Sequence, residues 1–443
     1  MTSDKEDISS EPDFSDFADW HVKEQKEPWP LLNDFGSDLS VAQERIIDNN
    51  ASLLKNRADW TAKVTRFSKL INSISDDEER ARTLKQFEIR FDNYKFDHAE
   101  FYNYSFPCST SFSGAVFKDF SVNFIQTVFK ESVSFEGAEF INASANFHGM
   151  RVLAGDFYFS HVYMERMVVN FFAARILGDI AEFDFMTLEK STFSADEVKI
   201  KGHLFIKNTT FPKRASFCRL SVGGACDLSK NTFHDVPDFT NSIFDRPPDV
   251  SGMEILSFQM KWISPWWIAD KDEGAKFRKL KAMAQAANDH EKDGEFFAYE
   301  MLAKRGYELG STEPFALFVN WLYFTFSKFG HSYVRPAIAL DFNFFIFFVF
   351  NAIVAAPYLK PSDLSAFAFW QSFKNMIPFL NSLIRFASRP DEFKSTYELA
   401  FNQLQVKGAP IEFFIYAGIF QNFIGLIFLF LLLLGLRNKF RLK

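Results

Sequence analysis

Asp289-His290-Glu291 sets two carboxylates around an imidazole, the residue types that general acid–base catalysis uses. Three successive residues on a helix, however, point in three directions and cannot converge on one reacting atom. The other histidines are scattered, and His98, His148, His161 and His203 stand where outward-facing corner positions would place them. There is no glycine-rich phosphate loop, His-Glu-x-x-His, Gly-x-Ser-x-Gly or Cys-x-x-Cys. Cys108, Cys218 and Cys226 lack metal-ligand spacing and read as buried thiols. The expectation is therefore a protein that is not an enzyme, with no catalytic residue, no metal and no cofactor.

Polar side chains inside apolar runs are the stronger signal. Residues 337–356 carry one charge, Asp341, together with Asn343 and Asn351; residues 413–436 carry no charge but include Gln421 and Asn422. Each run is long enough to cross a bilayer as a helix. Polar groups at such depth usually face another helix or water, so these five are candidate pore or oligomer contacts. Asp341 lies near one end of the first span and Gln421 nearer the opposite end of the second, so a single hairpin offers them few partners. Two spans cannot enclose a pathway, and a homo-oligomer is expected. Between the spans, Ala366, Trp370, Phe373, Ile377, Leu380 and Ile384 recur at helical spacing, interrupted by Pro378. Trp370, Phe373, Lys374, Asn375 and Pro378 mark this candidate loop helix. A hairpin with a helix between its spans is the layout of a pore-loop channel, but the potassium filter is glycine-rich backbone. From Pro357 to Lys407 there is no glycine. The alternative is an interfacial helix packed on the hairpin.

The elements that would hold these residues follow from charge and apolar pattern. Lys328, His331 and Arg335 precede the first span, and Arg437, Lys439, Arg441 and Lys443 follow the second. Both basic sets mark the cytoplasmic side, and Met1 opens no apolar leader. Both termini are thus expected in the cytoplasm, with loop 357–410 outside or dipping back. Residues 314–336 read as an aromatic interfacial helix, with Trp321, Tyr323 and Tyr333 at headgroup level.

The middle of the chain is a ladder: Phe91, Phe101, Phe112, Phe124, Phe135, Phe147, Phe159, Phe171, Phe183, Phe193, Phe205, Phe217 and Phe239, with Leu228 in the same slot. A second apolar residue follows each start by five, as in Phe96, Phe106, Phe117 and Val198. Small residues such as Ala99, Ala115, Ala181 and Cys226 stand two before many of the large ones. A fixed period with one large and one small inward residue per unit signals a solenoid. Fourteen units make about seven coils of about 22–24 residues, a rod on the order of 30 Å long at the usual strand spacing.

Ser113-Gly114-Ala115-Val116-Phe117, Glu136-Gly137-Ala138-Glu139-Phe140 and Ala145-Asn146-Phe147-His148-Gly149 resemble the pentapeptide-repeat family. That resemblance implies a right-handed, roughly square parallel β-helix, here with lengthened corners. Phe277-Arg278-Lys279-Leu280-Lys281 with Glu295-Phe296-Phe297-Ala298-Tyr299-Glu300-Met301, and the closing Gly435-Leu436-Arg437-Asn438-Lys439-Phe440-Arg441, resemble bacterial membrane-anchored members.

The expected architecture is a pentapeptide-repeat-like solenoid with flanking α-helices and a C-terminal two-helix transmembrane hairpin. Its segments are an acidic disordered tail (1–39), a helical cap (40–86), the β-helix (87–250), a helical linker (251–313), the interfacial helix (314–336) and the hairpin (337–443). The tail reading rests on nine acidic and three basic residues in positions 1–30. The expected function is a bacterial inner-membrane protein whose cytoplasmic coil binds an unidentified protein or senses a signal, on an oligomeric anchor in membrane lipid. The alternative is an oligomeric ion channel or membrane-disrupting effector in stress or phage defence, gated by the coil. A third is an acidic DNA mimic tethered to the membrane. Nucleic acid is an unlikely partner, because residues 87–250 hold 21 acidic and 16 basic side chains.

Overall fold

The computed structural model describes residues 12–20, 41–259, 272–307, 314–376 and 393–440. The chain forms two compact units, one of residues 1–264 with 275–293 and one of residues 265–274 with 294–443.

The first unit is a parallel β-solenoid of about seven turns, from Glu88 to Ile255, slightly longer than the 87–250 read from the sequence. Its short strands stack into four sheets of seven, five, seven and eight strands, one for each side of the coil. The register gives the length of each coil. Ile89 pairs with Thr110, 21 residues on, whereas Phe157 pairs with Ala181, 24 residues on. The extra residues go into corners. One corner column runs Asn93, Gly114, Gly137, His161 and Phe185, all with positive φ, which lets the chain turn between faces. Another is a stack of glycines, Gly155, Gly178, Gly202 and Gly224, where successive corners approach so closely that a Cβ on Gly178 would collide with the carbonyl oxygen of Gly155.

The phenylalanine ladder separates into two columns on opposite sides of the tube. Phe91, Phe112 and Phe135 stack with centroids 4.9 Å apart. Opposite them, Phe124, Phe147 and Phe171 stack at 5.1 and 4.5 Å. The spacing follows from the distance between coils, at which offset rings pack well. Apolar side chains from the other two faces, such as Phe117 and Phe140 at 4.8 Å, close the core.

The structure corrects the ladder at three places. Phe205 is not inward: Glu182 pairs with Phe205, so Ile206 falls into the slot above Phe183, while Leu204 fills the small slot above Ala181. Leu204 and Ile206 are buried, and Phe205 lies half-exposed with the Lys207 ammonium 5.0 Å from its ring centre. Phe193 is inward but occupies the small slot, pairing with Val169 below and Ala215 above, so Ala195 takes the large one. This swap leaves a void of about 10 Å³ among Phe171, Phe183, Phe193 and Ala195. On a third face the slot above Ile176 belongs to Ile200, not Val198, and on the fourth Phe211 turns inward.

Both ends of the rod are capped, as a stack of strands requires to avoid end-to-end pairing. At the first end lie α1 (Val41–Leu54), α2 (Arg57–Ser73) and α3 (Asp77–Leu84). Asn56 and Asp76 start α2 and α3 by accepting from backbone N–H groups two residues on. The Trp60 indole donates to the carbonyl of Ser105 at 3.0 Å, and the Tyr104 hydroxyl to that of Leu54 at 2.9 Å. Residues 12–20 of the acidic tail join this cap. Ser15–Trp20 forms a 3₁₀ helix that buries Phe17 and Trp20 against Phe67, and Trp20 donates to Asn50 at 3.0 Å. Three aromatics in seven residues outweigh the charge that made this segment read as disordered. At the far end, α4 (Leu256–Gln259) closes the last strand and α5 (Glu273–Ala286) follows. Lys279 and Lys292 each donate at 2.6 Å to a carbonyl of the last coils, Ser242 and Met253.

The second unit is helical: most of α6 (His290–Tyr307), then α7 (Pro314–Ser327), α8 (Val334–Ala355), α9 (Pro361–Met376), α10 (Phe393–Val406) and α11 (Ile411–Phe440). Helices α8 and α11 are long and apolar enough to span a membrane.

Candidate functional site: a helix between two apolar spans

Helix α9 starts at Pro361, which suits a first helical turn because its missing N–H needs no partner there. Asp363 adds an acidic side chain in the same turn, which favours the helix dipole. The helix then runs back along α8 and packs on both spans. Phe367 meets Phe414 of α11 edge-on at 5.4 Å, and Phe369 meets Phe344 of α8 at 5.5 Å. Near its start, Ala355, Leu359, Ala400, Leu404 and Ala409 close a small apolar core around Phe367. Its far end, Met376, lies against Gly425. Gly425 is fourteen residues beyond Ile411, so α9 reaches about 20 Å along α11 at 1.5 Å per residue.

A set of amides fixes α9 in this position. The Asn351 amide donates to the Ser372 hydroxyl at 2.8 Å, and the Gln421 amide donates to the Ser372 carbonyl at 2.9 Å. Asn343 reaches the Gln421 carbonyl, and Gln371 the Phe414 carbonyl, both at 3.5 Å. All five polar residues are buried. Glycines on α11 make the approach possible: Gly418 faces the Asn375 side chain, and a Cβ on Gly425 would collide with the Met376 carbonyl. Two acceptors in this cluster, Oδ1 of Asn351 and Oε1 of Gln421, are buried without a hydrogen-bond partner. Such atoms are costly where no water reaches them.

Of the candidate pore or oligomer contacts, Asn343, Asn351 and Gln421 come together here. The expectation that a single hairpin offers few partners is not met for these three, because α9 and the backbone of α11 supply partners within one chain. Asp341 is exposed and Asn422 half-buried, both outside the hydrogen-bonded cluster. Of the loop-helix residues, Trp370, Phe373, Lys374 and Asn375 lie on α9, and Trp370 packs edge-on against Phe369 and Phe373. Pro378 lies outside the described residues, and α9 ends before it. Sequence reasoning missed Gln371 and Ser372; an adjacent polar pair in the mostly apolar stretch 366–373 was the available signal.

Helix α7 sits alongside both spans. Phe326 packs on Phe428 of α11 at 4.9 Å, and the Arg335 guanidinium donates to the Phe324 carbonyl at 3.1 Å. In the other unit, Asp289 uses its carboxylate to accept the Lys292 N–H at 3.0 Å, leaving His290 and Glu291 exposed beside it. Burial pushes the Cys108 and Cys226 thiols well up from their ordinary range, away from thiolate reactivity. Among the described residues no group of three His, Cys, Asp or Glu is placed to hold a metal. Comparison with protein-family models, with curated proteins and with solved structures finds no match to this chain.

Proposed function

We propose that this is a non-enzymatic membrane protein of a bacterial inner membrane. Its cytoplasmic solenoid, wound right-handed in the pentapeptide manner, is an interaction or sensing module. Its anchor is the hairpin of α8 and α11. One observation carries the membrane reading: the hairpin is inside-out for a soluble protein. Ile338, Phe342, Phe345 and Ile353 on α8, and Phe420, Phe423 and Phe430 on α11, are exposed, while the amides of Asn343, Asn351 and Gln421 are buried. Water would favour the reverse, whereas lipid favours this arrangement. The test is alkaline carbonate extraction of cell membranes, with a periplasm-dependent reporter fused after Lys443. Retention in the pellet with a silent reporter is expected. Release into the supernatant would sink the anchor, and an active reporter would reverse its orientation.

The position of α9 favours a second reading, in which several hairpins assemble into a pore. A helix lodged between two spans, beside the unpartnered amide oxygens of Asn351 and Gln421, suits a lining element of such a pore. Association would use the exposed Asp341, which shares the lipid-facing side of α8 with Ile338, Phe342 and Phe345. Ion flux through liposomes carrying purified protein decides between the two. Robust flux abolished by Asn351→Leu would favour the pore, and a tight bilayer around a monomer of measured mass would remove it.

A further inference from the structure

We infer that the solenoid carries a binding groove for an extended organic amine, either a free polyamine or a lysine side chain of a partner. This deepens the reading of the solenoid as an interaction module and does not depend on the anchor. The groove lies on the face that begins with Glu88–Arg90. The register stacks one outward column in the order Arg90, Ser111, Ser134, Tyr158. Two large side chains thus bracket two small ones, which leaves a trough two coils wide, about 10 Å at the usual strand spacing. The hollow over Ser113 and Ser134, lined also by Glu88, Ser132, Glu136 and Tyr158, has a volume of about 360 Å³, within the range of small-molecule sites.

The floor presents hydrogen-bond acceptors. The hydroxyls of Ser134 and Ser113 are 3.0 Å apart, as are those of Ser113 and Ser111, and Ser111 donates to the buried carboxylate of Asp92. Because the chain ends on an acceptor, each hydroxyl spends its hydrogen along the line toward Asp92. What remains for a ligand is oxygen lone pairs, which suit N–H donors.

The walls select for positive charge. Arg90 is already paired with Glu88 at 2.6 Å. Glu136 lines the groove and is exposed, and Asp156 accepts from the Tyr158 hydroxyl at 3.0 Å. The residues that line the groove include no cation to balance Glu136. The Tyr158 ring supplies an aromatic wall, against which an alkyl-ammonium chain gains both apolar contact and attraction to the ring face. Phosphate or carboxylate ligands would meet repulsion from Glu136.

The experiment titrates the full-length protein in detergent with spermidine, with a soluble (Gly-Lys) repeat peptide and with maltose, by calorimetry. Saturable binding of spermidine, or of the peptide alone, is expected and identifies the source of the amine. Glu136→Gln should weaken binding about fivefold, the effect of one partly exposed charge. Ser134→Lys, which plants an ammonium in the trough, should abolish it, and Glu189→Gln on another face should leave it unchanged. Binding of maltose in preference to both amines, no saturable amine binding, undiminished binding by Ser134→Lys, or equal weakening by Glu189→Gln would each overturn the inference. None of these outcomes bears on carbonate extraction, so the two readings fail separately.

Discussion

Phe135→Ala and Phe205→Ala should differ sharply, although phenylalanine spacing alone ranks the two positions as equals. Phe135 is fully buried and its ring lies within 6 Å of those of Phe112, Phe124, Phe147 and Phe159. Truncating such a side chain loses its transfer free energy and opens a cavity that stacked coils cannot collapse to fill, about 3–5 kcal/mol. Phe205 touches His203 at 6.3 Å and the Lys207 ammonium at 5.0 Å, on the outside of the rod. Its removal should cost about 1 kcal/mol or less. Amide hydrogen exchange read by mass spectrometry suits a solenoid, because it reports local opening coil by coil. At 1.4 kcal/mol per tenfold, Phe135→Ala should speed exchange in the flanking coils by a factor on the order of 100 or more, and Phe205→Ala by less than about tenfold. Equal protection in the two variants would refute the register slip between Ala181 and Leu204.

Gly178→Ala should destabilise the solenoid by more than Glu139→Ala, since its Cβ meets backbone that cannot move aside; a melting temperature equal to wild type would count against the stacked corners. Ser372→Cys should resist a water-soluble maleimide, because Ser372 is buried beneath the amides of Asn351 and Gln421. Ready labelling of Ser372→Cys in the folded protein would place α9 outside the hairpin. Asp92 supplies a pH test: burial raises its carboxyl from 3.8 to about 6 in the folded protein. Between those values the native state holds the proton that the unfolded chain has lost, so stability falls as pH rises from about 4 to 6. The loss is on the order of 3 kcal/mol at 1.36 kcal/mol per unit. Asp92→Asn should flatten that part of the melting-temperature profile, and an unchanged slope would rule Asp92 out as its source.

The solenoid was legible because burial on a fixed period leaves a chemical trace, one large apolar residue for each slot. The trace fails where a slot is filled by a different residue type. At Leu204-Phe205-Ile206 the coil shortens by one residue relative to its predecessor, and three apolar residues in a row give no clue to which two face inward. At Phe193 and Ala195 the large and small positions exchange, a matter of packing that spacing cannot express. In the helical unit the polar residues of the spans were visible one by one. Their partner was not, because an amphipathic helix at an interface and one lodged between two spans carry the same periodicity. Depth is set by tertiary contacts, here Gly418 and Gly425 admitting α9 and Ser372 receiving two amides.

The parallel register also restricts how this rod can change length over evolutionary time. Phe157 pairs with Val133 on one side and with Ala181 on the other. Excising residues 157–180 would bring Val133 and Ala181 into adjacent coils with every inward column in phase and both caps in place. Excising half as many, residues 157–168, would keep Val169 and Phe171 inward but carry Lys190 into the slot of Gly178, where the Gly155 carbonyl leaves no room for a Cβ. Insertions and deletions in this region are therefore tolerated in whole coils, and the rod is quantised in steps of about 4.8 Å. Relatives of this chain should differ in the number of turns, each gained or lost by duplication or deletion of 21 to 24 codons, and seldom in the length of a face.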